Sequence, residues 1–227
     1  FITNMDFDNA SFRKITEDLT EQFGKKIAPI HFPIRENEKF TGYVNVVKKA
    51  GRKWLEKGQK EECPIPEYLD EYLEKYRETL LEAVAETSEE FMDRYFAGEE
   101  FSVHEIMMAL TQNVSSGDIV PVAMGSPVQL RGVANLLDDI VQYFPSPDKR
   151  SVAGINTKTN EIFEANYDFA KAKSAYVFKT IVDPFIGKYS LIKVCSGVIK
   201  GEDTLYNPTK DADEKPGKIY VLQGGKP

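Results

Sequence analysis

Two short stretches place polar side chains where binding chemistry is expected. The chain begins Phe1-Ile2-Thr3-Asn4-Met5-Asp6, two apolar residues running into a turn-prone segment, and Asp8-Asn9-Ala10-Ser11 then offers caps for a helix. Strand, polar loop and helix in that order form the edge of an α/β sheet, where ligands bind beyond the carboxyl ends of the strands. The second stretch, Ile119 to Met124, is nearly all apolar, as in a strand covered on both faces, and Gly125-Ser126-Pro127 turns it. Other reactive residue types are poorly arranged for catalysis. His31 and His104 are the only histidines, and zinc needs three or four convergent ligands, so both are expected to be solvated or next to a helix cap. Cys63 and Cys195 match no metal spacing and read as unpaired thiols of a reducing cytoplasm. Glu89-Glu90 and Glu99-Glu100 point apart on a helix and read as a solvated acidic face. No Gly-x-x-x-x-Gly-Lys-Ser/Thr occurs; Gly24-Lys25-Lys26 lacks the upstream glycine and the hydroxyl. No catalytic and no metal-ligating residue is assigned.

The composition is that of an ordinary globular protein, 41% hydrophobic and 29% charged, over 227 residues. No run approaches the roughly 18 apolar residues of a membrane span, so no membrane partner is expected. The net charge is −7 and the pI about 5.1, with the acids gathered from Glu56 to Glu105. Such a surface repels phosphate backbones and favours a basic partner. A chain that starts in mid-strand, with neither an initiator Met nor a leader, reads as a piece of a larger protein.

The elements that must position the two loops follow from periodicity. Phe12, Ile15, Leu19 and Phe23 share one face of a helix that Gly24 ends. Ile27 to Ile34 reads as a strand, at an edge or irregular because of Pro29 and Pro33, and Phe40 to Val47 as a second, with a bulge suggested by Gly42. Gly51 to Pro66 reads as a loop. Pro66 to Glu86 is a helix with Leu69, Leu73, Tyr76, Leu80, Leu81 and Val84 inward. Thr87 to Glu90 and Ser102 to Glu105 fit capping boxes of two further helices, the second with Val103, Ile106, Met107 and Leu110 inward. Gly132 to Phe144 is a helix whose inner side carries Val133, Leu136, Leu137, Ile140, Val141 and Phe144. Pro145-Ser146-Pro147 marks a domain boundary. Alternation then takes over, with strands at Ala175 to Val182, Tyr189 to Ile199, from Thr204 to Tyr206, and Ile219 to Leu222. Gly224-Gly225-Lys226-Pro227 reads as a turn awaiting another strand.

In this order the motifs resemble those of elongation factor G, the translocation GTPase of the ribosome. Phe1 to Asp6 falls where that family has Phe-Val-Asn-Lys-Met-Asp, and Ile119 to Pro127 where it has a strand and Gly-Ser-Ala. Pro145-Ser146-Pro147 matches the hinge to its second domain. Asp183-Pro184-Phe185-Ile186-Gly187-Lys188 and Ser196-Gly197-Val198 match the first hairpin of its β-barrel. The resemblance spans essentially the whole chain. It implies an α/β fold: residues 1-147 as the C-terminal part of a P-loop GTPase domain with an α+β insert subdomain at about 27-118, and residues 148-227 as the first strands of an incomplete antiparallel β-barrel.

The resemblance implies that Thr3, Asn4, Asp6, Gly125, Ser126 and Pro127 line a guanine-base site, with Asp6 accepting two hydrogen bonds from the guanine edge. Three positions depart from the family pattern. Thr3 and Asn4 replace Asn and Lys, which removes the stem that covers the base, and Pro127 replaces an Ala whose N–H meets the guanine carbonyl. Either guanine is read less strictly or neighbouring groups compensate. The parent protein would bind GTP and Mg²⁺, whereas this piece, whose family places the switch segments upstream, would bind neither and not hydrolyse GTP. Implied partners are the ribosome, its stalk protein through the insert, and small-subunit ribosomal RNA near Lys179 and Lys188. The alternatives are a ribosomal-protection or release-factor-recycling GTPase, a stalk-binding module without catalysis, and an inert piece. A cytoplasmic location is expected, and the unclosed barrel edge implies self-association or disorder over the last ~20 residues.

Overall fold

The computed structural model describes residues 1–56, 59–149, 152–156, 158–184 and 187–221. The chain divides into two compact units, Phe1–Pro145 and Ser146–Pro227.

The first unit is built on a change of sheet at a single residue. After α1 (Phe12–Phe23), β1 (Ile27–Pro29) pairs in parallel with β6 (Val120–Val122), Ile27 opposite Val120. At Ile30 the chain leaves that pair. The Ile30 N–H still donates to the Val122 carbonyl, while the Ile30 carbonyl accepts from Val46 N–H. The run read as one strand from Ile27 to Ile34 is therefore two, because its backbone groups are shared between two sheets. From His31 on, β2 (His31–Glu36), β3 (Lys39–Asn45), β4 (Ala50–Trp54) and β5 (Lys60–Cys63) form an antiparallel sheet in that order. Pro33 lies on its edge strand, where a missing donor costs no ladder bond. The ladder slips between Ile34 and Arg35, so that Thr41 bulges beside Gly42 and Arg35 comes opposite Phe40. A Cβ at Gly42 would lie 2.3 Å from the Arg52 carbonyl oxygen, so close strand approach accounts for this glycine.

The expected loop at 51–66 is corrected. Its composition misleads because β4 buries only Gly51 and Trp54 and β5 is an edge strand with three exposed charged residues, a composition that guards edges against further pairing.

A 3₁₀ turn at Glu67–Leu69 leads into α2 (Asp70–Ala85). Its stripe of Leu73, Tyr76, Leu80 and Val84 is buried in the same core as Phe12, Phe32 and Ile106, and Leu81 is half-buried. Arg77 is buried on this face and donates to the Val46 and Val47 carbonyls at 3.0 and 2.9 Å. α3 (Glu89–Phe96) is capped by Ser88, whose hydroxyl accepts from Phe91 N–H, rather than by Thr87. α4 (Val103–Val114) carries a full capping box between Ser102 and Glu105. Arg94 donates to Glu105 at 2.7 Å and to Glu99 at 3.0 Å. Ile106 and Leu110 are buried on α4, but Val103 is exposed.

Two helix faces differ from their sequence patterns. On α1 the buried residues are Phe12 and Thr16, Phe23 being exposed; the Thr16 hydroxyl is satisfied by the Phe12 carbonyl at 3.0 Å. On α5 (Val133–Tyr143) the buried residues are Asn135 and Tyr143, while Leu137 and Val141 are 60% and 85% exposed and Ile140 and Phe144 lie outward too. The helix is held instead by its polar side, Lys60 of β5 donating to Asn135 Oδ1 at 3.1 Å. No described element of the unit covers the apolar stripe.

The second unit consists of three antiparallel pairs: β7 (Ala153–Ile155) with β8 (Ile162–Glu164), β9 (Ser174–Asp183) with β10 (Gly187–Ser196), and β11 (Leu205–Asn207) with β12 (Ala212–Glu214). Among the described residues these pairs do not join into a closed barrel. Residues 219 to 221 are not a strand; Leu222, the turn at Gly224 to Pro227, and Phe185 and Ile186 of the hairpin motif lie outside the described residues. No described helix is long and apolar enough to cross a membrane.

Candidate functional site

The two loops singled out by sequence lie side by side in the first unit. Ile2 forms a parallel bridge with Met124, which prolongs the β1–β6 edge toward the strand ends. Ile2 N–H donates to Ala123 O at 2.9 Å, Gly125 N–H to Ile2 O at 2.9 Å, and Met5 N–H to Gly125 O at 3.1 Å. Three backbone bonds thus hold Phe1 to Asp6 against Ala123 to Gly125. Small size is required at Gly125, since a Cβ there would lie 2.3 Å from the Arg131 carbonyl oxygen and 2.8 Å from the Phe1 ring.

Each predicted site residue can be placed. Thr3 and Asn4 are exposed. Asn4 sits in the left-handed region at φ 60°, a conformation that Asn tolerates better than most residues, and its carbonyl accepts from Phe7 N–H at 3.1 Å. Asp6 is half-buried, and its Oδ1 is a buried acceptor with no hydrogen-bond partner among the described residues. Leaving such an atom unsatisfied costs about 1–3 kcal/mol. Gly125 and Ser126 are buried. The Ser126 hydroxyl points inward and accepts from Gln129 N–H at 3.2 Å. Ser126 and Arg131 exchange two backbone bonds, 2.8 and 3.0 Å, that close the second loop. Pro127 is exposed at its tip. The two loops thus form a backbone frame beside the Asp6 carboxylate, whose Oδ1 is buried, with the Ser126 hydroxyl turned inward.

The other candidates separate from this site. His31 is not solvated, as its sequence suggested, but buried on β2. Its Nε2 faces Asn45 Nδ2 at 3.0 Å and its Nδ1 lies 3.4 Å from Asp139 Oδ2. Burial holds the imidazole down at about 3. His104 is exposed within the cap of α4. No group of three or more metal-ligating side chains occurs among the described residues. Cys63 and Cys195 are both free. Glu89, Glu90, Glu99 and Glu100 are exposed.

Sequence reasoning missed two arginines. Arg35 of β2 donates to the Met5 carbonyl at 2.5 Å and the Phe7 carbonyl at 2.9 Å. Arg131, next to the second loop, donates to the Phe40 carbonyl of β3. The one available signal, for Arg35 alone, was an arginine directly after the strand run Ile27 to Ile34.

An α/β unit with two loops joined at the edge of a short parallel pairing is the class that the fold defines. No protein-family profile matches the chain. Among solved structures, a protein of Thermus thermophilus is similar over 98% of this chain, with 28% sequence identity and a TM-score of 0.73. The match occupies 30% of that protein, so the chain spans less than a third of it.

Proposed function

We propose that the chain is part of a translational GTPase resembling elongation factor G, contributing the base-reading half of the nucleotide site together with the insert subdomain and the first strands of a β-barrel domain. The observation that carries this reading is the buried, unpartnered Asp6 Oδ1 on a loop bonded to Gly125. A carboxylate fixed there accepts from the N–H groups of a guanine edge. Adenine presents no such pair, and an unsatisfied buried acceptor makes that difference selective. Thr3, Asn4, Ser126 and Pro127 would form the rest of the pocket wall. The phosphates and Mg²⁺ of GTP require groups that the 227 residues do not supply, because they contain no phosphate loop.

In the intact protein, GTP hydrolysis would drive movement of tRNA and mRNA on the ribosome, or a related ribosomal step. The acidic helices α2 to α4 would face the ribosomal stalk, with Lys179 and Lys188 of the second unit toward small-subunit RNA. The similarity to the Thermus thermophilus protein supports the fold part of this reading.

The test is amide-resolved NMR of the chain titrated with guanosine and with adenosine, a method that registers millimolar affinity. Shifts at Met5, Asp6 and Gly125 with guanosine and none with adenosine are expected. Equal responses to both nucleosides would overturn the base-reading assignment. Pull-down with ribosomes tests the partner assignment separately.

A further inference from the structure

The β2–β3 hairpin reaches both loops of the candidate site through two residues that face each other across its ladder. Arg35 and Phe40 are register partners just beyond the bulge at Thr41. On the β2 side, the Arg35 guanidinium donates to the carbonyls of Met5 and Phe7, the two residues that flank Asp6, and to the Glu38 carbonyl at the hairpin turn at 3.0 Å. On the β3 side, the Phe40 carbonyl accepts from the guanidinium of Arg131. Arg131 in turn closes the Gly125–Pro127 loop through its two backbone bonds with Ser126. The loops are tied to each other by backbone bonds and, separately, to one rigid hairpin by charge-assisted bonds that span 28 to 30 residues of sequence on one side and 91 on the other.

We propose that this hairpin is a positioning clip for the base site, in which Arg35 sets the orientation of the Asp6 loop and Arg131 that of the Ser126 loop. The proposal rests on the base-reading assignment of Asp6. A guanidinium that bridges the carbonyls of residues 5 and 7 fixes the 5–6 and 7–8 peptide planes, and with the Phe7 N–H bond to the Asn4 carbonyl holding the plane between them it sets the direction in which the Asp6 carboxylate leaves the chain. Without that bridge the loop is held by the Met5–Gly125 and Phe7–Asn4 bonds alone, which then open more often because the constraint across Asp6 is gone. Neither arginine touches the proposed ligand, so both are positioning residues.

The clip also connects the site to the outer surface of the unit. The Arg35 carbonyl accepts from the Tyr68 hydroxyl at 2.6 Å, and Tyr68, in the turn before α2, is largely exposed.

The experiment compares the full 227-residue chain with Arg35→Ala, Arg35→Lys and Arg131→Ala, by amide hydrogen exchange and by guanosine titration followed by NMR. In Arg35→Ala, exchange at Met5 and Phe7 should rise about tenfold, as expected for loss of charge-assisted bonds, with protection at Val120 and Val122 unchanged. Guanosine affinity should fall by a similar factor, and Arg35→Lys should recover part of both effects. Arg131→Ala should do the same at Ser126 and Arg131 amides. Unchanged loop exchange in Arg35→Ala, or exchange that rises equally throughout the first unit, would overturn the clip. If the unaltered chain ignores guanosine while loop exchange still rises in the variants, the base-reading assignment falls and the hairpin's hold on the loops stands. If the unaltered chain binds and the variants bind equally well, the clip alone falls.

Discussion

His31 Nδ1 and Asp139 Oδ2 lie 3.4 Å apart between β2 and α5, both largely buried, yet the carboxylate oxygen has no hydrogen-bond partner among the described residues. The neighbours define the protonation of this pair. Lys48 N–H donates to Asn45 Oδ1 at 2.8 Å, which turns the Asn45 amide nitrogen toward His31 Nε2. Nε2 must therefore accept, and the single proton of the neutral ring sits on Nδ1, near Asp139 Oδ2 but not aligned with it as a hydrogen bond. Burial pushes the Asp139 carboxyl up to about 7, with Asp138 adding to the rise and Lys60 and Lys48 opposing it.

This pair predicts opposed pH dependences. Asp139 is raised from 3.8 to about 7, so its contribution is full below pH 3.8 and is lost as pH rises through 7. His31 is lowered from 6.5 to about 3, so its contribution is full above pH 6.5 and is lost as pH falls through 3. Between about pH 4 and 6.5 the two slopes, each at most about 1.4 kcal/mol per pH unit, oppose each other. Asp139→Asn should become more stable as pH rises through this window, and His31→Gln less stable, with the unaltered chain nearly flat. Urea unfolding read from the fluorescence of Trp54, the only tryptophan and buried in the first unit, measures the three slopes. Parallel slopes would rule out the assignment.

Arg77→Ala should be among the more damaging changes in the helical part. It leaves the Val46 and Val47 carbonyls without their buried donor, a loss of about 3 kcal/mol. A fall in the unfolding free energy, taken from the urea midpoint and slope, of less than a third of that would mean that water replaces the guanidinium.

Gly125→Ala should open the candidate site. A Cβ at 2.3 Å from a backbone oxygen cannot be relieved by a side-chain rotation, and overpacking of this kind costs about 1–3 kcal/mol. Faster exchange at the Met5 amide, whose acceptor is the Gly125 carbonyl, is the expected signature; unaltered protection there would contradict it.

Ser102→Ala removes the hydroxyl that caps α4 and should cost about 1 kcal/mol. The same substitution at Thr87, which is not the cap of α3, should not weaken the N-terminus of that helix. Comparing helix-terminal amide exchange in the two variants checks the assignment.

The β9–β10 hairpin should associate with itself. It is a two-stranded sheet with no third strand paired to it among the described residues, and it carries exposed Tyr176, Val177, Phe178 and Val182, the kind of apolar surface beside a strand edge that recruits a further strand. Val182→Glu, opposite Lys188 in the ladder, keeps a favourable cross-strand pair while removing apolar surface. Sedimentation velocity over a concentration series should show association in the parent chain and less in the variant. A parent chain that stays monomeric would refute the expectation.

Sequence alone determined what depends on near neighbours along the chain. The Ser102–Glu105 capping box, the Gly24 stop of α1, the buried stripe of α2 and the two loop motifs are local patterns, set by bonds within a turn or two of the backbone. The pairing of the Asp6 and Gly125 loops was an expectation carried by the resemblance to elongation factor G, since strand–loop–helix order places only the first loop at a sheet edge. Only the tertiary structure decided which faces meet. α5 carries an apolar stripe that its periodicity would bury, yet Asn135 and Asp139 are drawn inward by Lys60 and His31 from a sheet that included the expected loop at 51–66. Arg35 is a strand residue by its neighbours and a loop fastening by its contacts. Its partners, Met5 and Phe7, lie on the far side of α1, and hydrogen bonds over that separation exist only once β2 has paired with β3 and the bulge has set the register.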